Sequence, residues 1–211
     1  MDLAERGWIP DPWLRFGMRR LLVKRLAQDQ VNATAAGKAA FVESMRASDL
    51  AVGTTDANHQ HYEVPTAVFQ RMLGPHLKYS CALFEQENAS LAEAEAAMLK
   101  LTCERAQLGP NQKILELGCG WGSLTLFMAE AYPESNITAV SNAHSQRLFI
   151  EAEAQARGLT NITVLTQDMN DFEPDSQFNR VVAIEMFEHM RNYQRLFDKV
   201  SGWLALDGLL F

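Results

Sequence analysis

Cysteine is scarce in this chain: Cys81, Cys103 and Cys119 are the only three in 211 residues, and none forms a CxxC pair. That excludes a disulfide framework and a cysteine-built zinc site, and it favours a reducing compartment. Long apolar runs are missing too, so no stretch qualifies as a bilayer-spanning helix. Met1-Asp2 leads into acidic and polar residues rather than a signal peptide, and the expected location is cytoplasmic. Positive charge is short: 19 Lys and Arg against 26 Asp and Glu leave a formal net charge of −7. Such a balance gives no general affinity for nucleic acid or anionic membrane, since both reward a basic surface. One local exception is the cluster Arg15, Arg19, Arg20, Lys24 and Arg25. It reads first as a solvated helix face, and second as a lipid-facing helix making peripheral membrane contact. His59 and His61 have HxH spacing but no third ligand nearby in sequence, so no metal site is expected.

What is present is ample apolar material, 47% of the residues, enough for one large domain, or for one domain with a helical appendage. Two regions differ in pattern, and the boundary is placed between an N-terminal helical segment, 1–109, and a core, 110–211. In the first, Leu14, Met18, Leu21, Leu22 and Leu26 fall at helical spacing, as do Ala40, Phe41, Met45 and Leu50. Ser90 and Glu93 have the spacing of a capping box, which predicts an alanine-rich helix running to about Gly109-Pro110. Residues 53–88 lack periodicity and are rich in His, Tyr, Pro and Gly, as functional loops are. In the second region strands alternate with helices. Strands are predicted at 113–117, 137–140, 162–165, 180–184 and from Gly208, and helices at 124–131, 145–157 and 193–204. Alternation of this kind predicts an α/β fold with a mostly parallel sheet, right-handed crossovers and helices on both faces. The chain stops inside the fifth strand, where a hydrophobic edge would lie unpaired; the expectation is a sheet truncated there or covered by another segment.

The segment Gly118-Cys-Gly-Trp-Gly122 joins the first strand to a helix, two residues after Glu116. Glycines in such a turn let the backbone approach a ligand closely, although a tight turn without a ligand has the same sequence. The spacing is GxGxG rather than GxGxxG, and the second strand, ending Ser141-Asn142, carries no acid for ribose hydroxyls as a nicotinamide enzyme would. Gln146, one turn into the next helix, is the nearest group able both to donate and to accept there. After the third strand, Asp168 can accept from an adenine amine while Met169 packs on the ring, or Asp168 simply closes a turn.

Glu185, Glu188 and His189 follow the fourth strand, which with the first flanks the switch point where ligands bind in open parallel sheets. On one helical turn they approach the same side, and a carboxylate–imidazole cluster can bind a cationic amine and take its proton. The competing reading makes Glu188 and His189 charges at the N-terminus of the following helix, where an acid is favourable.

Taken with Asn58-His-Gln-His-Tyr-Glu-Val-Pro65, Lys78-Tyr-Ser-Cys-Ala82 and Ile184-Glu-Met-Phe-Glu-His-Met190, the glycine motif resembles one family. It is similar to the cyclopropane-fatty-acid synthase / coclaurine N-methyltransferase superfamily of S-adenosylmethionine-dependent methyltransferases, most closely to its amine-methylating branch. The resemblance spans roughly residues 55–211. It implies a Rossmann-like class I methyltransferase sheet with an N-terminal helical, cofactor-covering cap. The implied cofactor is S-adenosyl-L-methionine. Tyr79 and Ser80 would contact it from the cap, with His61, Tyr62 and Glu63 helping to build that cap. Glu116, Gly118, Gly120 and Gly122 supply the motif beside its methionine end; Ser141, Asn142 and Gln146 lie at its ribose, and Asp168 and Met169 at its adenine. Glu185 and Glu188 would orient a small-molecule amine and His189 would act as base. The cyclopropane synthases act instead on unsaturated lipid acyl chains with a bound bicarbonate as base, matched here by Cys81, Ile184 and Glu188. The other elements of that site would lie beyond Phe211, which leaves a catalytically incomplete cofactor-binding fragment as a third reading. Apart from the resemblance, Cys81 reads as a small buried apolar residue.

Overall fold

The structure, a computed structural model, describes residues 2–53 and 66–211. The chain divides into two compact units, residues 1–47 and 48–211. The expected boundary at 109/110 is a different partition, because residues 48–109 group with the sheet.

The first unit holds α1 (Asp2–Glu5), α2 (Asp11–Asn32) and α3 (Ala35–Arg46). Pro12, in the first turn of α2, suits its start, and the Thr34 hydroxyl caps α3 by accepting from the Gly37 N–H at 3.0 Å. The helical spacing of the leucines in α2 is borne out as a helix, yet no residue of α2 or α3 is buried. Two of the basic residues form i,i+4 pairs, Arg15 with Asp11 and Arg25 with Asp29. Leu50 departs from the second predicted helix: α3 stops at Arg46, and Leu50 lies four residues on, fully buried in the core of the other unit.

In the second unit α4 (Thr66–Met72) and α5 (Leu91–Arg105) precede the sheet. The capping box at α5 forms as expected, with Ser90 and Glu93 bonding each other's backbone. Five strands follow, β1 (Lys113–Leu117), β2 (Asn136–Ser141), β3 (Ile162–Thr166), β4 (Phe178–Ala183) and β5 (Leu204–Leu210). Between them lie α6 (Ser123–Ala131), α7 (His144–Arg157) and α8 (Tyr193–Trp203). All neighbouring pairs are parallel, in the order β3-β2-β1-β4-β5, so the switch point falls between β1 and β4.

Alternation along the strands explains the layers. Leu115, Leu117 and Val181 pack with Leu196, Val200 and Trp203 of α8 on one face. Ile114 and Val182 pack with Leu99 and Cys103 of α5 and with Leu124 and Met128 of α6 on the other. Burial on both faces is why Ile114–Leu117 lacks the polar alternation of a solvated strand, Glu116 excepted. Gly158, at φ +68°, closes α7 as expected.

The fifth strand differs from its prediction. It starts at Leu204, directly after α8, rather than at Gly208, because five residues of β5 span the two-residue interval from Phe178 to Arg180 in β4. The bulge folds tightly on itself: a Cβ at Gly208 would lie 2.9 Å from the Phe178 carbonyl oxygen and 3.0 Å from Ala205 backbone atoms. Among the described residues, no helix is long and apolar enough to cross a membrane.

Candidate cofactor and substrate site

Register brings the predicted site residues to one rim. Leu117 lies beside both Val140 and Ala183, and Ser141 beside Thr166, so β1 to β4 end level. The glycine turn, the Ser141–Gln146 segment, the Gln167–Met169 loop and the Glu185–His189 turn all leave that edge. Gly118 and Cys119 donate their N–H groups to the Val140 carbonyl at 2.9 and 3.1 Å, which anchors the turn to β2.

The three glycines are required for different reasons. All have positive φ, +80°, +52° and +78°. A Cβ at Gly118 would sit 2.8 Å from Met186, and one at Gly122 2.6 Å from Ile150 of α7; both are packed shut. A Cβ at Gly120 would meet nothing within 4 Å. The open face of the turn is therefore at Gly120, where close backbone approach to a ligand is available.

Below the turn Glu116 is buried, and one carboxylate oxygen accepts from the Thr125 hydroxyl of α6 at 2.5 Å. Burial pushes its carboxyl up to about 7, the Thr125 bond opposing. The structure thus ties Glu116 to the helix behind the turn. Cys119 and Cys103 are buried thiols, Cys103 pushed up to about 12 by desolvation, and both are neutral at physiological pH.

Ser141 and Gln146 are both buried, and the serine hydroxyl donates to the glutamine carbonyl oxygen at 2.5 Å. Asn142 stands half-buried between them in sequence. Asp168 does close a turn: its Oδ1 accepts from the Asn170 backbone and side chain at 2.8 and 2.9 Å. Met169 is buried in the core cluster that includes Leu50 and Phe172. At the same rim the hydroxyls of Ser123, Ser145 and Thr166 are buried without a hydrogen-bond partner among the described residues. Buried polar atoms are normally satisfied, so these mark places where a polar ligand or water completes the structure. The open Gly120 face and these hydroxyls fit the nucleoside cofactor expected from the sequence.

Tyr79 and Ser80 lie in a loop held from several sides. The Tyr79 ring meets Phe69 of α4 edge-on at 5.6 Å, Phe69 meets Trp121 of the glycine turn at 4.9 Å, and Trp121 meets Phe149 of α7 at 5.5 Å. This aromatic chain fixes the loop to the glycine turn. Ser80 accepts from Lys78 Nζ at 2.6 Å, and the buried Glu95 carboxylate accepts from the His76 N–H at 3.0 Å. Sequence reasoning missed Glu95 and Phe69, because an acid in an alanine-rich helix and an isolated aromatic carry no local signal of what they bond. It quoted Lys78 and Trp121 within their motifs without giving either a role. Cys81 is a correction: it is exposed, not a buried apolar residue, because its loop runs along the surface beside the half-exposed Ser80. His59, His61, Tyr62 and Glu63 lie outside the described residues. Among the described residues no group of His, Cys, Asp and Glu is arranged to hold a metal ion.

The segment after β4 forms less helix than expected. Only Phe187–His189 make a 3₁₀ turn, and Glu185 precedes it at φ +53°. A left-handed glutamate is uncommon and costs about 1 kcal/mol or more. Met186, between them, is buried against Gly118, so the chain turns sharply to keep it inside. Glu185, Glu188 and His189 are all exposed, and Tyr193 steadies the turn by donating to the Phe187 carbonyl at 2.8 Å. Glu188 and His189 lie five and four residues ahead of the following helix. α8 begins at Tyr193 and is capped by Asn192, whose side-chain oxygen accepts from the Arg195 N–H at 3.0 Å.

A parallel sheet in this order, with a glycine turn after β1 and a polar rim around the switch point, defines a class I methyltransferase fold. Within that class, the chain belongs to the mycolic acid cyclopropane synthetase family, whose profile matches residues 52–211. It is 39% identical over 210 residues to an (S)-coclaurine N-methyltransferase of Thalictrum flavum subsp. glaucum, covering 98% of this chain and 58% of the relative. It is 37% identical over 152 residues to the cyclopropane-fatty-acyl-phospholipid synthase of Escherichia coli (strain K12), covering 71% of this chain and 38% of that protein. A crystal structure of coclaurine N-methyltransferase bound to N-methylheliamine and SAH superposes with a TM-score of 0.80 at 38% identity, covering 99% of this chain and 61% of that one. The chain thus spans about three-fifths of the length of the amine methyltransferases it matches.

Proposed function

We propose that this chain forms the cofactor half and part of the substrate half of an S-adenosylmethionine-dependent methyltransferase that acts on the nitrogen of a small-molecule amine. The observation that carries it is the exposed Glu185, Glu188 and His189 group. It stands at the switch point, on a turn packed against Gly118, and a separate residue caps the following helix. Their side chains bond no described residue, which leaves them available to a ligand. The identity to an amine N-methyltransferase across 98% of the chain supports the same reading.

Gly120 leaves room for the cofactor backbone-on, with Gly118 and Gly122 holding the turn and Glu116 bracing it from below through Thr125. Ser141, Asn142 and Gln146 serve the ribose, Asp168 and Met169 the adenine, and Tyr79 and Ser80 the covering side. Residues 48–109 act as the cover. Bound S-adenosylmethionine supplies a sulfonium-activated methyl group. An amine nitrogen is a nucleophile only without its extra proton, and most aliphatic amines are cationic at neutral pH. The Glu185 and Glu188 carboxylates attract and orient the cation, and His189 accepts its proton, which leaves the nitrogen lone pair free for in-line attack. The three free thiols suit a cytoplasmic setting.

A second reading rests on α2, which exposes Trp13 and Phe16 beside Arg15, Arg19, Arg20, Lys24 and Arg25. Those groups suit contact with a lipid surface and a cyclopropane-type reaction on acyl chains, with bicarbonate held by Cys81, Ile184 and Glu188. Calorimetry with S-adenosylhomocysteine tests the shared cofactor site. Methyl-labelled S-adenosylmethionine, offered with an amine panel and with unsaturated phospholipid vesicles, separates the reactions. Label in an amine supports the first reading, and label only in acyl chains overturns it. Binding with label in neither shows a cofactor-binding domain without its own turnover.

A further inference from the structure

Between the adenine loop and the catalytic turn lies a short strap, Ser48 to Ala51, that belongs to no helix and to no strand of the sheet. On one side Asn170 clamps it at two points. The Ala51 N–H donates to Asn170 Oδ1 at 3.1 Å, and Asn170 Nδ2 donates to the Ala51 carbonyl at 3.0 Å. The same Nδ2 also donates to Asp168 Oδ1 at 2.9 Å, so the strap is linked through Asn170 to the residue assigned to adenine.

On its other side the strap meets the residues that follow Glu188 and His189. Ala51 pairs with Met190 in an isolated antiparallel bridge. The Leu50 carbonyl accepts from the Arg191 N–H at 2.7 Å and the Asn192 N–H at 3.4 Å, and the Ser48 carbonyl accepts from Asn192 Nδ2 at 3.0 Å. Leu50 anchors it from beneath, fully buried in a cluster with Met169, Phe172 and Met186. Ala51 thus bonds the adenine loop through Asn170, while the Leu50 and Ser48 carbonyls bond the segment after the catalytic turn. Buried backbone groups left unpaired are costly, so displacing one loop weakens the bonds to the other.

We infer that the strap couples the two halves of the site, and that Asn170 is a positioning residue. Ordering of the adenine loop through Asp168 is passed by Asn170 to Ala51, and from there to the turn that carries Glu188 and His189. The inference rests on the cofactor reading only for which ligand orders Asp168; the mechanical link stands on the hydrogen bonds.

Amide hydrogen exchange on the whole chain tests it. Without ligand, Asn170→Ala should speed exchange at the Arg191 amide about tenfold while the β1 and β2 ladder amides keep their rates. An unchanged Arg191 rate, or equal acceleration everywhere, overturns the link. In the wild type, saturating S-adenosylhomocysteine should slow the Arg191 amide about tenfold, and in Asn170→Ala this protection should vanish although the ligand still binds. Protection that persists in the variant, or never arises in the ligand-bound wild type, overturns the coupling. Should Asn170→Ala fail to fold, Asn170→Ser makes the smaller cut, with the same two outcomes. Failure of the wild type to bind S-adenosylhomocysteine overturns the cofactor reading instead, and the link is then judged on the ligand-free rates.

Discussion

Gly118 and Met186 stand so close that a Cβ on the glycine would lie 2.8 Å from the methionine Cβ and Cγ. This one approach joins the turn after β1 to the turn after β4, the two turns proposed to serve cofactor and substrate. Gly118→Ala forces Met186 to move and places alanine at φ +80°. Overpacking and left-handed backbone each cost of order 1–3 kcal/mol, so a loss of about 3 kcal/mol is expected. Urea denaturation at constant slope measures it, and a midpoint equal to wild type refutes the packing argument.

Gly120 should behave differently. Its Cβ position is open, so Gly120→Ala carries only the backbone term, about 1 kcal/mol at φ +52°. The methyl group occupies the space assigned to the ligand, and S-adenosylhomocysteine affinity should fall at least about tenfold, roughly 1.4 kcal/mol. Calorimetry and denaturation on the same variant give both numbers. Undiminished affinity would place the ligand elsewhere.

Glu116 gives a pH dependence of definite sign. Burial raises its folded pKa to about 7 from a reference of 4.5. The folded state therefore binds more protons than the unfolded state between those values. The contribution to stability is complete below about pH 4.5 and is lost as pH rises through 7, a change of about 3 kcal/mol by linkage. Glu116→Gln removes this titration. The wild-type-minus-variant stability should fall by about 3 kcal/mol between pH 4.5 and 8, in the variant's favour at the upper end. A difference independent of pH would mean that the carboxyl titrates normally.

Elements whose pattern is local were readable in advance. β1 is a short apolar run ended by Gly118, and α5 announces itself with Ser90 and Glu93, so both were placed to within a few residues. The glycine turn, Ser141, Gln146, Asp168 and the Glu185–His189 segment were named from spacing and resemblance, and strand register brings them to one rim. What escaped depends on distant partners. Leu50 continues an apolar spacing that looks helical, but its burial is decided by Phe172 and Met186, far along the chain. Asn170 bonds Ala51 across 119 positions, and nothing near either residue signals the pair. The start of β5 was misplaced because a bulge breaks the alternation that marks a strand.

Glu188 offers the cleanest separation of binding from chemistry. It is exposed on the 3₁₀ turn and bonds no described residue, so Glu188→Gln keeps the side-chain shape and costs the fold little, within about 0.5 kcal/mol. The cofactor contacts assigned to Gly120, Gln146 and Asp168 are untouched, and S-adenosylhomocysteine affinity should stay within about twofold. The carboxylate's attraction for a cationic amine is lost, and with it the orientation of the nitrogen beside His189. Turnover with the amine labelled in the panel should drop about 100-fold, within the range a positioned acid or base contributes. His189→Gln should show the same pattern, with a loss that shrinks as rising pH deprotonates the free amine. Equal losses of turnover and cofactor affinity in Glu188→Gln would move this residue to the cofactor side, and the substrate would then have to be bound by other groups.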